Sequence, residues 1–198
     1  MAEGYLDRLV TPEVAQAQAR YYGHAMATGG AVSTDPLGED ERAFITSRDS
    51  FYMATVSGSG WPYIQHRGGR PGFLRVLGPT SLAFADYKGN RQMLSTGNLA
   101  TQDRVSLFLM DYPQRTRLKI LGHARVLDAR EHPELAGQLA EPEARRLVER
   151  LFIIEVVSFD WNCPKYITPR YTADEVAEAV APLRARISAL EEQLKTKI

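Results

Sequence analysis

The chain has 198 residues, enough for one domain with a sizeable core plus terminal extensions, and its 24 Lys+Arg are balanced by 24 Asp+Glu. That balance offers no steering toward nucleic acid or anionic lipid, so any anion site must be local. The single cysteine, Cys163, cannot form an intrachain disulfide, no Cys/His group has structural-zinc spacing, and no signal-like N-terminus or run of about 18 apolar residues is present, so a cytoplasmic protein without metal, nucleic acid or membrane is expected.

Pro12 to Met26 is rich in alanine and glutamine, and Thr11 before Pro12 predicts a capped helix ending at Gly29-Gly30. The Ser, Thr, Asp and Pro that follow, to Gly38, suggest a linker, and Glu39 to about Ser47 a short helix. The β-prone run Phe51–Val56, closed by Gly58-Ser59-Gly60, pairs with Trp61–Arg67 as a hairpin. A second hairpin joins Phe73–Leu77 to Ser81–Ala85 through Gly78-Pro79. Lys88–Leu99 has the length of a helix, Val105–Met110 and Leu118–Leu127 alternate like strands, Glu131–Arg150 suggests a helix, and Leu151–Phe159 a buried strand. This order, mainly β with helices at the ends and in the connections, predicts a small antiparallel barrel with α decorations.

At the C-terminus, Val176, Val180, Leu183, Ile187, Leu190 and Leu194 are spaced 4, 3, 4, 3, 4, as in a heptad seam interrupted by Pro182. Such a seam serves either an amphipathic helix packed on its own barrel or a subunit contact. The expected division is residues 1–38 as N-terminal helix and linker, 39–168 as barrel, and 169–198 as C-terminal helix.

Chemistry concentrates between Tyr63 and Ser95. On a strand from Trp61 to Arg67, the side chains of Tyr63, Gln65 and Arg67 share one polar face, with Ile64 and His66 on the other. Gly68-Gly69 would let a ligand approach the backbone, and Arg70 and Arg75 lie near in sequence. Asp86-Tyr87-Lys88-Gly89-Asn90-Arg91-Gln92, running toward Ser95, supplies backbone N–H groups, a guanidinium fork and a hydroxyl, the donors a phosphate requires. The same letters also describe an ordinary solvated turn. Neither a P-loop nor a dinucleotide glycine fingerprint is present. His66 has no carboxylate at a readable spacing, and Trp61, Trp161 and Cys163 each have packing as the plainer role.

Taken together, Ala54-Thr55-Val56, Gly60-Trp61-Pro62, Gln65-His66-Arg67-Gly68-Gly69, Phe84-Ala85-Asp86, Gly89-Asn90-Arg91-Gln92, Ser95-Thr96-Gly97-Asn98-Leu99 and Arg104-Val105 resemble the FMN-binding split-barrel proteins related to pyridoxamine 5'-phosphate oxidase. Asp160 to Ile167 with Pro169-Arg170 resembles a closing motif of one bacterial subgroup. The resemblance implies a six-stranded antiparallel Greek-key split barrel, a homodimer, and FMN at each interface cleft. By position, Arg67, Asn90, Arg91, Gln92 and Ser95 would hold the FMN phosphate, with Asp86 and Lys88 beside them. Gln65 and His66 would lie along the ribityl chain or ring. Arg117 and Lys119 would reach from the partner subunit, and Trp161, Lys165 and Arg170 would close the cleft.

Authentic vitamin B6 oxidases carry an arginine and a histidine two residues apart late in the chain. The matching region here is Lys165-Tyr166-Ile167-Thr168-Pro169-Arg170, so oxidation of pyridoxamine phosphate itself is not expected. The implied activity is an FMN-dependent oxidoreductase passing hydride or electrons between a reduced donor and a small-molecule acceptor, with no side-chain acid or nucleophile evidently required. A flavin-binding or sensing protein without turnover, and the same barrel holding F420 or haem, are the alternatives; the phosphate-type residues favour FMN over haem.

Overall fold

The computed structural model describes residues 3–29, 33–161 and 164–195; Gly30 and Cys163 lie outside them. The chain separates into two compact units, one of residues 1–110 and 117–163 and the other of 111–116 and 164–198.

Among the described residues seven strands form one sheet: β1 Ser50–Val56, β2 Pro62–Gly68, β3 Arg75–Gly78, β4 Ser81–Tyr87, β5 Arg104–Asp111, β6 Thr116–Asp128 and β7 Val148–Trp161, in the order β2-β1-β5-β6-β7-β4-β3. The resemblance implies six strands where seven are present, the shortest being the four-residue edge strand β3, paired to β4. The alternation in β1 and β5 puts Phe51, Met53, Leu107 and Leu109 on the inner face, where they meet Leu118, Ile120, Phe152, Ile154 and Val156 in one core. Rings from distant strands close over it: Phe51 of β1 lies edge-on to Phe84 of β4 at 5.4 Å, and Phe84 stacks on Phe152 of β7 at 4.8 Å. The sheet is therefore curled, and its two halves share one interior.

Three helix expectations change. Helix α2 spans Pro12–Tyr22, capped at its start by the Thr11 hydroxyl, and stops at Gly23, whose φ of 82° takes the left-handed C-cap position well before Gly29. Between Asp86 and Leu99 only Leu94–Leu99 is helical (α4), because Arg91 and Met93 adopt φ of 61° and 56°, incompatible with a helix. Glu131–Arg150 holds only a seven-residue α5, Pro133–Leu139, and a 3₁₀ turn, Pro142–Leu147. Pro142 cannot donate its nitrogen to extend α5, and β7 begins at Val148.

Two elements hold the N-terminal side of the first unit. The short helix α1, Glu3–Asp7, buries Tyr5, and the stretch expected as a linker is tied down through Asp35 N–H to Val157 C=O, Ser158 to Asp35, and Leu37 N–H to Pro79 C=O. Helix α3, Glu39–Ser47, starts where the Glu41 carboxylate accepts the Gly38 N–H at 2.9 Å. In the second unit α6, Ala173–Lys195, runs unbroken through Pro182 and buries none of its residues.

Candidate functional site

Strand β2 is an edge strand paired only with β1, in a register that sets Arg67 opposite Phe51, Gln65 opposite Met53 and Tyr63 opposite Thr55. Its polar face is consequently the inward one. Helix α4 lies against it: Ser95 Oγ donates to Gln65 Oε1 at 3.0 Å, and Asn98 Nδ2 donates to Thr55 Oγ1 at 2.9 Å, with Ser95, Asn98 and Thr55 all buried. Between β2, the end of β4 and the 88–93 loop is a pocket of about 180 Å³ lined by Gln65, Arg67, Asp86, Asn90, Arg91, Gln92, Ser95 and Arg150 among others.

The charged groups of this pocket are three guanidiniums and one carboxylate, two net positive charges. Asp86 organises them. Its Oδ1 accepts Arg67 Nη1 at 2.5 Å, and its Oδ2 accepts Arg150 Nε at 2.8 Å and lies 2.7 Å from Arg150 Nη2. All three side chains are at least four-fifths shielded, where such charge-assisted bonds are strong. Arg67 is further fixed by aromatic faces, its Cζ 4.9 Å from the Phe152 centroid and 5.4 Å from that of Phe84. Its Nε is buried without a hydrogen-bond partner. Arg91 and Asn90 stand exposed on the loop, and Asn90 Oδ1 accepts the Gln92 N–H, leaving its amide N–H₂ to donate outward.

Arg150 was not evident in the sequence, because its segment has the composition of a helix; only the β4–β7 register, which sets it opposite Asp86, brings it in. Tyr87 was also missed as a support: its hydroxyl accepts the Glu141 N–H at 3.0 Å and holds the connection before β7 beside the pocket. A second cavity of about 770 Å³ shares Thr96 and Arg150 with the first and is lined further by Ser81, His123, Arg125, Ile153 and Glu155.

Other expected residues lie elsewhere. His66 is on the opposite face of β2, edge-on to Tyr52 at 5.5 Å, as the strand alternation requires. Lys88 is exposed, its backbone N–H bonded to Leu147 C=O. Trp161 is held by Glu41, whose Oε1 accepts its Nε1 at 2.6 Å, and packs edge-on to Phe44. Arg117 and Lys119 do share a face of β6, with Leu118 and Ile120 buried on the other. Arg117 lies over Phe108 with a buried, unpartnered Nε. Lys119 is bound within the chain, 2.8 Å from Asp160 and beneath the Tyr5 ring, and burial together with the Asp160 charge raises the Tyr5 pKa. Lys165 and Arg170 belong to the second unit, where Arg170 lies over Tyr112.

The family model for pyridoxamine 5'-phosphate oxidase matches residues 37–155. The chain belongs to the pyridoxamine 5'-phosphate oxidase family. The matched span begins at Leu37 and ends within β7, so it contains the whole cradle, from Arg67 to Arg150. Solved structures agree on the split-barrel fold. A candidate pyridoxamine 5'-phosphate oxidase from Lactobacillus delbrueckii is 20% identical with TM-score 0.50, covering 64% of this chain and 95% of its own. A protein related to general stress protein 26, of the pyridoxinephosphate oxidase family, from Clostridium acetobutylicum is 12% identical with TM-score 0.50, covering 69% and 94%. A conserved hypothetical protein from Mycobacterium tuberculosis is 15% identical with TM-score 0.50, covering 74% and 97%. No curated protein matches the chain in sequence. Among the described residues no helix is long and apolar enough to cross a membrane.

Proposed function

We propose that this member of the family is a cytoplasmic FMN-dependent oxidoreductase, working as a homodimer and passing hydride or electrons between a reduced donor and a small-molecule acceptor. The observation that carries this reading is a pocket of net positive charge, lined by Arg67, Arg91 and Arg150, that shares Thr96 and Arg150 with a larger cavity. A phosphate bearing nearly two charges suits such a site, and the adjoining space suits the rest of an elongated phosphorylated cofactor.

Arg67 and Arg91 would bind the phosphate, with Asn90 and the Gln65 amide as neutral donors. Arg150 would act at one remove, since its Nε and Nη2 are engaged by Asp86 and its Nη1 by Glu149. Bound FMN would supply the redox chemistry. Of the two cations on that face of β6, Arg117, which has no carboxylate partner among the ion pairs of the described residues, is the better suited to reach a second subunit's cofactor; Lys119, paired to Asp160, is not.

The absorption spectrum of purified protein, before and after addition of FMN, tests the reading. The two-band visible spectrum of oxidised flavin, bleached by a reduced nicotinamide, is expected. A chain that neither carries nor quenches FMN would end it.

A further inference from the structure

The C-terminal helix carries a surface that the cradle does not use. In α6 the positions Val180, Ile187 and Leu194 fall at a of a heptad and Val176, Leu183 and Leu190 at d. Leu183, Ile187 and Leu194 are more than half exposed, and Val176 and Leu190 are 48% and 40% exposed. An apolar stripe largely open to water along about five turns, with Val180 alone half-buried, is costly unless something covers it. Its composition says what: β-branched Val and Ile at two of the a positions with Leu at two of the d positions is the pattern that favours two parallel strands.

The flanking charges agree. Arg186 is at g and Glu191 at the following e, and in a parallel, in-register pair the g residue of one helix faces the e residue five positions on in the other. A second copy of α6 therefore places each Arg186 beside the other's Glu191, twice by symmetry. Pro182 falls at c, away from the seam, and leaves the helix unbroken. From the heptad assignment, the exposure and this charge complementarity we infer that α6 pairs with α6 of a second copy as a short parallel coiled coil. The pairing is a contact between copies that does not depend on what the cradle binds.

Engineered cysteines in the full-length chain, made in a Cys163→Ser background, test it. Mild oxidation of Ile187→Cys, an a position, is expected to give a disulfide-linked dimer, whereas Ala185→Cys, an f position two residues away, stays monomeric on a non-reducing gel. An antiparallel pair sets a against d and does not link Ile187→Cys to itself. Adding Leu183→Asp and Leu190→Asp should abolish the link. Arg186→Glu should slow it several-fold, and Glu191→Arg added to Arg186→Glu should restore it. Equal linking at both cysteine positions, no linking at either, or a rate indifferent to both charges would overturn the proposal.

Discussion

Asp86 and Arg150 stand directly opposite each other on β4 and β7, and the Arg150 fork closes on the Asp86 carboxylate at 2.8 and 2.7 Å. The other oxygen of the same carboxylate holds Arg67, so one acid fixes two cations that would otherwise repel. Replacing it as Asp86→Asn leaves two shielded guanidiniums facing each other without a counter-charge. A loss of about 3 kcal/mol in urea unfolding is expected, since breaking such a buried pair costs far more than removing a surface one. A change below about 1 kcal/mol, the size of an exposed ion pair, would show that the triad is not structural.

Arg91 contributes differently, because it is exposed and its φ of 61° is unfavourable for any residue with a Cβ. Arg91→Gly relieves that strain while removing a charged fork. Unfolding free energy should stay within about 1 kcal/mol of the parent, since the gain at positive φ is offset by glycine's greater freedom in the unfolded chain. FMN affinity, followed by fluorescence quenching, should fall by about 1.5–3 kcal/mol. Undiminished affinity would place Arg91 outside the phosphate site.

Tyr5 gives a pH prediction with a definite sign. Its pKa is raised above the ordinary 10.0, first by burial and then by Asp160, so the folded state favours the neutral phenol. The stabilisation is fully present below pH 10.0 and is lost as the pH rises toward and through the raised value. Alkaline unfolding should therefore be less steep in Tyr5→Phe than in the parent. An ultraviolet titration of that variant should also lose a tyrosine that ionises above 10.0; an unchanged alkaline end of the curve would contradict the raised value of Tyr5.

Gly122 sits at the β-bulge between β6 and β7, where a Cβ would come within 2.6 Å of the Glu155 carbonyl oxygen and 2.9 Å of Ile154 Cγ2. Backbone cannot yield as a flexible side chain does. Gly122→Ala should cost about 2 kcal/mol in denaturant unfolding, in the range of overpacked cores. Gly137→Ala, which meets nothing within 4 Å, serves as the control.

Half of the cradle was legible in the sequence because its residues are local. Period-two alternation puts Gln65 and Arg67 on one face of β2, and the same alternation already sets His66 on the other. The 86–95 stretch announces donors by composition alone. Arg150 was hidden, since cross-strand register is not written in either strand and Glu131–Arg150 looks helical until Pro133 and Pro142 are given their due. Lys119 shows the converse: its face of β6 could be read from the alternation, but its contacts with Tyr5 and Asp160, distant in sequence, could not. The heptad of α6 was legible throughout, because a helix's period survives without knowledge of what it touches.

The bond from Ser95 to Gln65 gives α4 two roles, as a wall of the arginine-lined pocket and as the piece held against the edge of the barrel. A six-residue helix has little stability of its own. Its amides thus act as an internal gauge of occupancy: an anion that seats beside Ser95 should slow deuterium uptake in residues 94–99, and one bound elsewhere on the protein should leave that clock running unchanged.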